Sequence, residues 1–423
     1  MFCWLIYKSP FFKADGLLKK HLIIAFTIKV IAGVFLGLLY IYYYADRSTA
    51  DTLKFFDDSK LLFDLLKEHP KKFLKIFTGI GSNDSELNTV YLQMNTWMYE
   101  EFMSSNRTMV RLDAFFRFFI PGNYYFVHVV FINFLSFSGL VYLYRIFAGL
   151  LKLNRLILYF CVFFTPSLLF WGSGLLKEGV LLFALGGFLF HFVKLLKTRS
   201  TYTNLIFFLL FGLLLTLIKI YMLLVLLPAL IGYYLSLIYS KRIVVNYVVS
   251  TLFIFTLLFN IKSFIPRFDL SHYLYVKQRD FLDIVRTENP TSAIEIPVIE
   301  PNVWSIIANA PRGFLTTLTR PFLFESISPL ILMASLENFF ILLLLLFCIF
   351  NFKKPDKSEY NFVSFCIGMV VILFVLIGLV TPVEGAIVRY KSIALPFLFA
   401  ALFSLTGFDW LKKISGSTQK NIS

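Results

Sequence analysis

The chain reads as an all-α, polytopic membrane protein of about ten transmembrane helices, and two observations predict it. Long apolar stretches recur from end to end, and Lys and Arg collect in every second gap between them. Composition agrees: 58% of residues are hydrophobic and the mean hydropathy is +0.76. That balance excludes a water-soluble globule.

A helix needs ~20 apolar residues to cross ~30 Å of hydrocarbon. On that measure the spans fall at 21–44, 124–147, 153–173, 176–196, 203–219, 221–239, 243–261, 328–351, 361–381 and 390–409. Residues 1–20 carry the short apolar patch FCWLIY but no small-residue cleavage site, so the first span reads as an uncleaved signal anchor. Lys219 separates the fifth and sixth spans and is read as a tight turn.

Basic residues orient these spans. Lys8, Lys13, Lys19 and Lys20 precede the first, and Arg145, Lys152 and Arg155 follow the second. Lys194, Lys197 and Arg199, then Lys241 and Arg242, then Lys353, Lys354 and Lys357 continue the set, which closes with Lys412, Lys413 and Lys420. The opposite gaps hold little beyond Lys177, Lys219, Arg389 and Lys391. The positive-inside rule therefore predicts cytoplasmic termini, with 45–123, 262–327, 173–178 and 382–391 outside. The net charge of +15 follows from those cytoplasmic loops and their anionic lipid headgroups, and implies no nucleic acid.

One membrane domain, 1–423, with two outer elaborations is the economical organisation. In the first outer loop, 45–123, Leu53, Phe56, Leu61, Phe63, Leu66, Phe73 and Ile76 recur at helical spacing among charges, interrupted at Pro70. The pattern predicts amphipathic helices over 53–77 and 88–120, lying on the outer leaflet. The second, 262–327, is polar and proline-rich and predicts a mixed loop with one helix near 273–287. Gly79-x-Gly81 follows no strand, so it is no nucleotide fingerprint.

Three charged features remain as candidates for chemistry. Asp46 and Asp51 follow the first span directly, where a partly desolvated carboxylate suits a general base; a solvated loop start is the bland alternative. Lys177-Glu178 stands between two apolar arms, where a lipid-facing charge is costly, so the pair is expected to face a cavity or merely cap a hairpin. Glu384, Arg389 and Lys391 open the last span, and Arg312 and Arg320 precede the eighth; these basic groups suit a phosphate or snorkel to the interface. Glu337 is an intramembrane carboxylate. Scattered His residues and Cys3, Cys161, Cys348 and Cys366 support neither a metal site nor a disulfide framework. The sequence requires no cofactor, although outer carboxylates are compatible with a divalent cation.

Together, ADRSTAD after the first span, LLKEG after the third and IVRYKSIALP before the last resemble the GT-C superfamily of membrane glycosyltransferases, which includes protein O-mannosyltransferases and aminoarabinose transferases. FTPSLLFWGSGLLKEG also looks like bacterial inner-membrane proteins of envelope-polysaccharide contexts. The resemblance implies a polyprenyl-phosphate sugar as donor, an envelope lipid, glycan or protein as acceptor, and a location in the bacterial inner membrane. It implies Asp51 or Asp46 as base, with Arg389 and Lys391 on the departing lipid phosphate; Glu178 is a further catalytic candidate, and Lys177, Glu384, Arg312 and Arg320 are further candidates for substrate binding. Two alternatives stay open. An O-antigen polymerase or ligase would depend on Arg312, Arg320 and Arg389. A lipid-linked-sugar flippase would carry ionisable groups at the bilayer midplane and an internal repeat.

Overall fold

A computed structural model describes residues 1–44, 47, 50–96, 104–120, 122–197, 202–266, 268–323 and 329–406. Every named element among them is helical. Asp46, Arg199, Lys412, Lys413 and Lys420 lie outside the described residues.

Helix α1 (Phe2–Lys8) leads to α2 (Lys19–Leu38), which a π-turn over Leu39–Tyr43 extends. Helices α3 (Asp51–Glu68) and α4 (Pro70–Thr78) follow. Pro70 opens α4, where no backbone N–H is needed, and Gly79 closes it at φ 82°, a left-handed turn that glycine adopts without strain. Next come α5 (Asn88–Tyr91) and α6 (Ser105–Phe116), whose start is fixed by Ser104 accepting from the Arg107 N–H. Then follow α7 (Tyr125–Leu150), α8 (Arg155–Phe163), α9 (Pro166–Trp171), α10 (Lys177–Lys197) and α11 (Tyr202–Ile238). The chain continues through α12 (Ile243–Asn260), α13 (Leu270–Glu288) and α14 (Val303–Thr319). Helices α15 (Pro329–Phe350), α16 (Lys357–Val380), α17 (Glu384–Lys391) and α18 (Leu395–Leu405) complete the set.

Eight helices among the described residues are long and apolar enough to cross a membrane. The difference from the ten expected arises at two places. The stretch 153–173 is α8 and α9, of nine and six residues, and nine residues rise only ~13 Å. Pro166 is the cause, since it biases Thr165 away from helix; the Thr165 hydroxyl then donates to the Cys161 carbonyl at 2.7 Å. The stretch 203–239 is the 37-residue α11, ~55 Å if straight, whose backbone leaves helical geometry at Lys219 (φ −154°, ψ 86°).

The chain divides into two compact units, Met1–Ile146 with Leu168–Leu223 and Phe147–Ser167 with Leu224–Ser423. In the first, α7 and α10 touch through backbone: a Cβ on Gly186 would stand 2.2 Å from the Gly139 carbonyl oxygen. Helix α3 buries Leu53 and Phe56, as its spacing predicts, together with Phe55 and Leu62, whereas Leu61, Phe63 and Leu66 are only half-buried. Its Thr52 hydroxyl meets the Tyr125 hydroxyl at 2.6 Å, and Phe56 packs edge-on against Tyr125 and His128.

In the second unit the segment 262–327 holds two helices rather than one. Beside α13, helix α14 lies along α16; a Cβ on Gly378 would stand 1.9 Å from the Gly313 oxygen, and the Thr317 hydroxyl donates to the Phe374 carbonyl at 2.8 Å. Phe374 is six residues, ~9 Å, inside the end of α16, so the C-terminal end of α14 reaches well down that helix. Small side chains at Gly313 and Gly378 make the approach possible. Leu274, Ile299, Ile306 and Leu379 form a core between α13, α14 and α16.

Candidate functional site

The first unit gathers the charges that follow the first span and open α10. Asp51 begins α3, half-buried, where a carboxylate complements the positive helix end. One turn on, the Phe55 ring lies over Lys177, with the ammonium 5.8 Å from the ring centroid. Glu178 is fully buried, and its carboxylate pairs with the Lys219 ammonium at 3.0 Å. The Lys219 ammonium also lies 5.8 Å from the Tyr221 ring centroid. Beside that break the Leu217 carbonyl accepts from the Thr108 hydroxyl of α6 at 3.3 Å.

The start of α10 is set deep against its neighbours. Gly172 and Ser173, in the irregular stretch between α9 and α10, meet Asn133 and Ser136 of α7 and Lys29 of α2. The Lys29 ammonium donates to the Gly172 carbonyl at 2.7 Å and lies 3.2 Å from the Ser173 hydroxyl. The Ser136 hydroxyl donates to the same carbonyl at 2.9 Å, and the Asn133 amide donates to the Ser173 carbonyl at 2.6 Å. Asn133 is eight residues into α7, so this stretch lies ~12 Å from the Tyr125 end. Non-helical backbone at such a depth needs protein partners, and these three side chains supply them. The Lys177-Glu178 pair therefore sits below the end of α7, under Phe55, rather than at a surface loop.

A second buried network ties α3, α6 and α7. Asp113 accepts from the Ser59 hydroxyl at 2.5 Å and contacts His128 Nδ1 at 2.7 Å. Arg117 donates to the Ser59 hydroxyl at 2.9 Å and to the Phe56 carbonyl at 2.7 Å. Burial pushes the Arg117 guanidinium below its ordinary value, and Asp113 opposes that shift. The order Ser–Asp–His leaves the imidazole unable to take the hydroxyl proton, so this is a support for the loop helices and no nucleophile triad.

The charges around the last span lie in the second unit. Lys391 is buried, and its three N–H bonds go to the carbonyls of Thr317 (3.1 Å) and Arg320 (2.6 Å) and to Asn338 Oδ1 (2.8 Å). An ammonium has three donors, and all are engaged. Lys391 thus caps the carboxyl end of α14, helped by the Asn338 amide on the Thr319 carbonyl. Arg320 reaches Glu384 at 3.7 Å, and the Glu384 N–H is anchored on the Ser292 carbonyl at 2.9 Å. Arg389 is half-buried one turn and more beyond Glu384, whereas Arg312 is exposed. Glu337 accepts from the Ser167 N–H and hydroxyl at the start of α9.

Asp51, Lys177 and Glu178 are thus brought into one unit, and Glu384, Arg389, Lys391, Arg312 and Arg320 into the other. Sequence reading passed over Lys29, although a lysine inside an apolar run is a signal in itself. It gave Lys219 a turn rather than a partner. Among the described residues no group of three or more His, Cys, Asp or Glu side chains gathers as a metal site would.

No protein family, curated protein or solved structure matches this chain.

Proposed function

We propose that the chain is a multi-pass membrane glycosyltransferase of GT-C type that moves a sugar from a polyprenyl-phosphate donor to an envelope lipid, glycan or protein. The observation that carries the reading is the buried Glu178–Lys219 pair at the inset start of α10, with Lys177 under Phe55 and Asp51 one turn from that ring. Ionised groups held at such depth are expensive and are kept where chemistry uses them. Orientation follows the positive-inside rule, with both termini cytoplasmic and this site toward the outer leaflet of a bacterial inner membrane.

In this mechanism Asp51 takes the proton of the acceptor hydroxyl or amine. The freed electron pair forms the new bond to the anomeric carbon as the bond from that carbon to the phosphate oxygen breaks. The lipid phosphate leaves with the negative charge, which Lys177 neutralises as it develops. Glu178 orients the acceptor or the sugar from the opposite side. The donor supplies the energy, so no nucleotide loop is needed.

Reconstituted chain, labelled polyprenyl-phosphate sugar and a membrane extract as acceptor test the reading. Asp51→Asn is expected to lower transfer ~10²–10⁴-fold at unchanged accumulation. Full activity in Asp51→Asn and Asp46→Asn, with loss confined to Arg312, Arg320 and Arg389 variants, overturns it. The polymerase or ligase reading, which depends on those arginines, would then take its place.

A further inference from the structure

We infer that Lys219 is a positioning residue of this site, which fixes the Glu178 carboxylate, and that the break in α11 is what delivers it. The inference deepens the proposed function and rests on it. Sharp breaks in helices normally trace to proline, to glycine or to an inserted group. Here the flanking residues are Ile218 and Ile220, and the only proline inside α11 is Pro228, nine residues further on. Nothing local demands an extended residue at 219. The tertiary partner does: the break ends with the Lys219 ammonium 3.0 Å from Glu178 Oε1, their side chains 9% and 0% exposed.

The surroundings are built to tolerate the break. The Leu217 carbonyl beside it takes the Thr108 hydroxyl, so α6 repairs backbone that α11 gives up. A buried ion pair is weak evidence of a stability device, because well-packed apolar side chains of similar volume often replace one at no cost. A pair set at a broken helix next to Lys177 is one that holds a reacting or binding carboxylate in a fixed orientation.

The test compares Lys219→Arg, Lys219→Met, Glu178→Met and the double variant Glu178→Met/Lys219→Met, each purified and reconstituted. Transfer from a labelled polyprenyl-phosphate sugar and Tm are read together. Lys219→Met is expected to lose transfer about hundredfold, Lys219→Arg to keep it within about tenfold, and the double variant to lose no more than Glu178→Met alone. The double variant is expected to melt at or above the wild-type Tm. Full transfer in Lys219→Met, or additive losses in the double variant, overturns the inference and leaves the glycosyltransferase reading standing. If the wild-type chain moves no sugar, that reading falls and the inference, which rests on it, falls with it. With wild-type transfer established, a double variant less stable than wild type makes the pair a stability device and overturns the inference; one as stable as wild type, with the transfer pattern above, supports it.

Discussion

The Lys29 ammonium donates to the Gly172 carbonyl at 2.7 Å, joining the first long helix to the irregular stretch ahead of α10. This bond, with Ser136 on the same oxygen, is what allows unwound backbone to sit beside α7 far from its end.

Replacing that lysine tests the point. Lys29→Met strips one donor from the Gly172 carbonyl and another from the Ser173 hydroxyl, at ~1–3 kcal/mol for a buried acceptor left short. The expected result is a lower Tm in detergent and faster proteolysis near 172–176. A Tm equal to wild type would show that the stretch is held by other means.

Glycine contacts give a paired prediction. Gly186→Val forces a side chain into the Gly139 backbone and is expected to cost ~1–3 kcal/mol or more, read as Tm or as loss of accumulated protein. Gly149→Ala meets nothing within 4 Å and is expected to be neutral or slightly stabilising. Equal effects would mean that the α7–α10 contact is looser than described.

Lys391 is expected to be a matter of folding. Lys391→Met leaves the Thr317 and Arg320 carbonyls and Asn338 Oδ1 without their donor, and ~1–3 kcal/mol for each short group is a large share of any stability. Loss of accumulation, without a change in donor affinity among the molecules that do fold, is the outcome to look for. A variant that folds normally but binds polyprenyl phosphate weakly would return Lys391 to the role the sequence suggested.

Acid should loosen α13 from its first turn. Asp269 accepts from the His272 N–H at 3.1 Å, and that bond, followed by the Lys262 ammonium, holds its carboxyl below the ordinary value of 3.8. A depressed carboxylate contributes stability that is complete above the unfolded value and lost as pH falls through the folded one. Amide exchange at 270–273 is therefore expected to rise only at pH below about 4, and Asp269→Ala to raise it at neutral pH, by ~1 kcal/mol of cap. No pH response in the wild type would rule out the cap.

Much of the fold was legible because period and length are local properties. The apolar runs marked the eight helices long and apolar enough to cross a membrane, and the spacing from Leu53 to Ile76 named α3 and α4, but the 17-residue α14 went unmarked. The failures share a cause. Pro166 and Lys219 both sit inside apolar runs, and whether such a run bends, stops or continues depends on partners far away in sequence. Thr108 and Glu178 decide it at Lys219, and a hydropathy window cannot see them. The same holds for the candidate site: Asp51, Lys177, Glu178 and Lys391 were visible as charges beside spans, but the three acceptors of Lys391 come from other segments and were not. A lysine looks the same in sequence whether it awaits an anion or closes a helix end.

The inset stretch before α10 also constrains how the chain is made. Synthesis runs from the amino end, so Lys29, Asn133 and Ser136 enter the bilayer before Gly172 and Ser173 leave the ribosome. Until they do, the nascent first helix carries an uncompensated ammonium, ~2.5–3.5 kcal/mol on insertion scales, which only its length of apolar neighbours can outweigh. The partner that relieves it arrives some 140 residues later. A nascent chain stalled at residue 165 should therefore hold its first helix loosely, slipping toward the interface or drawing quality-control proteases. One stalled beyond residue 250, with Gly172 and Ser173 clear of the ribosome, should hold it fast.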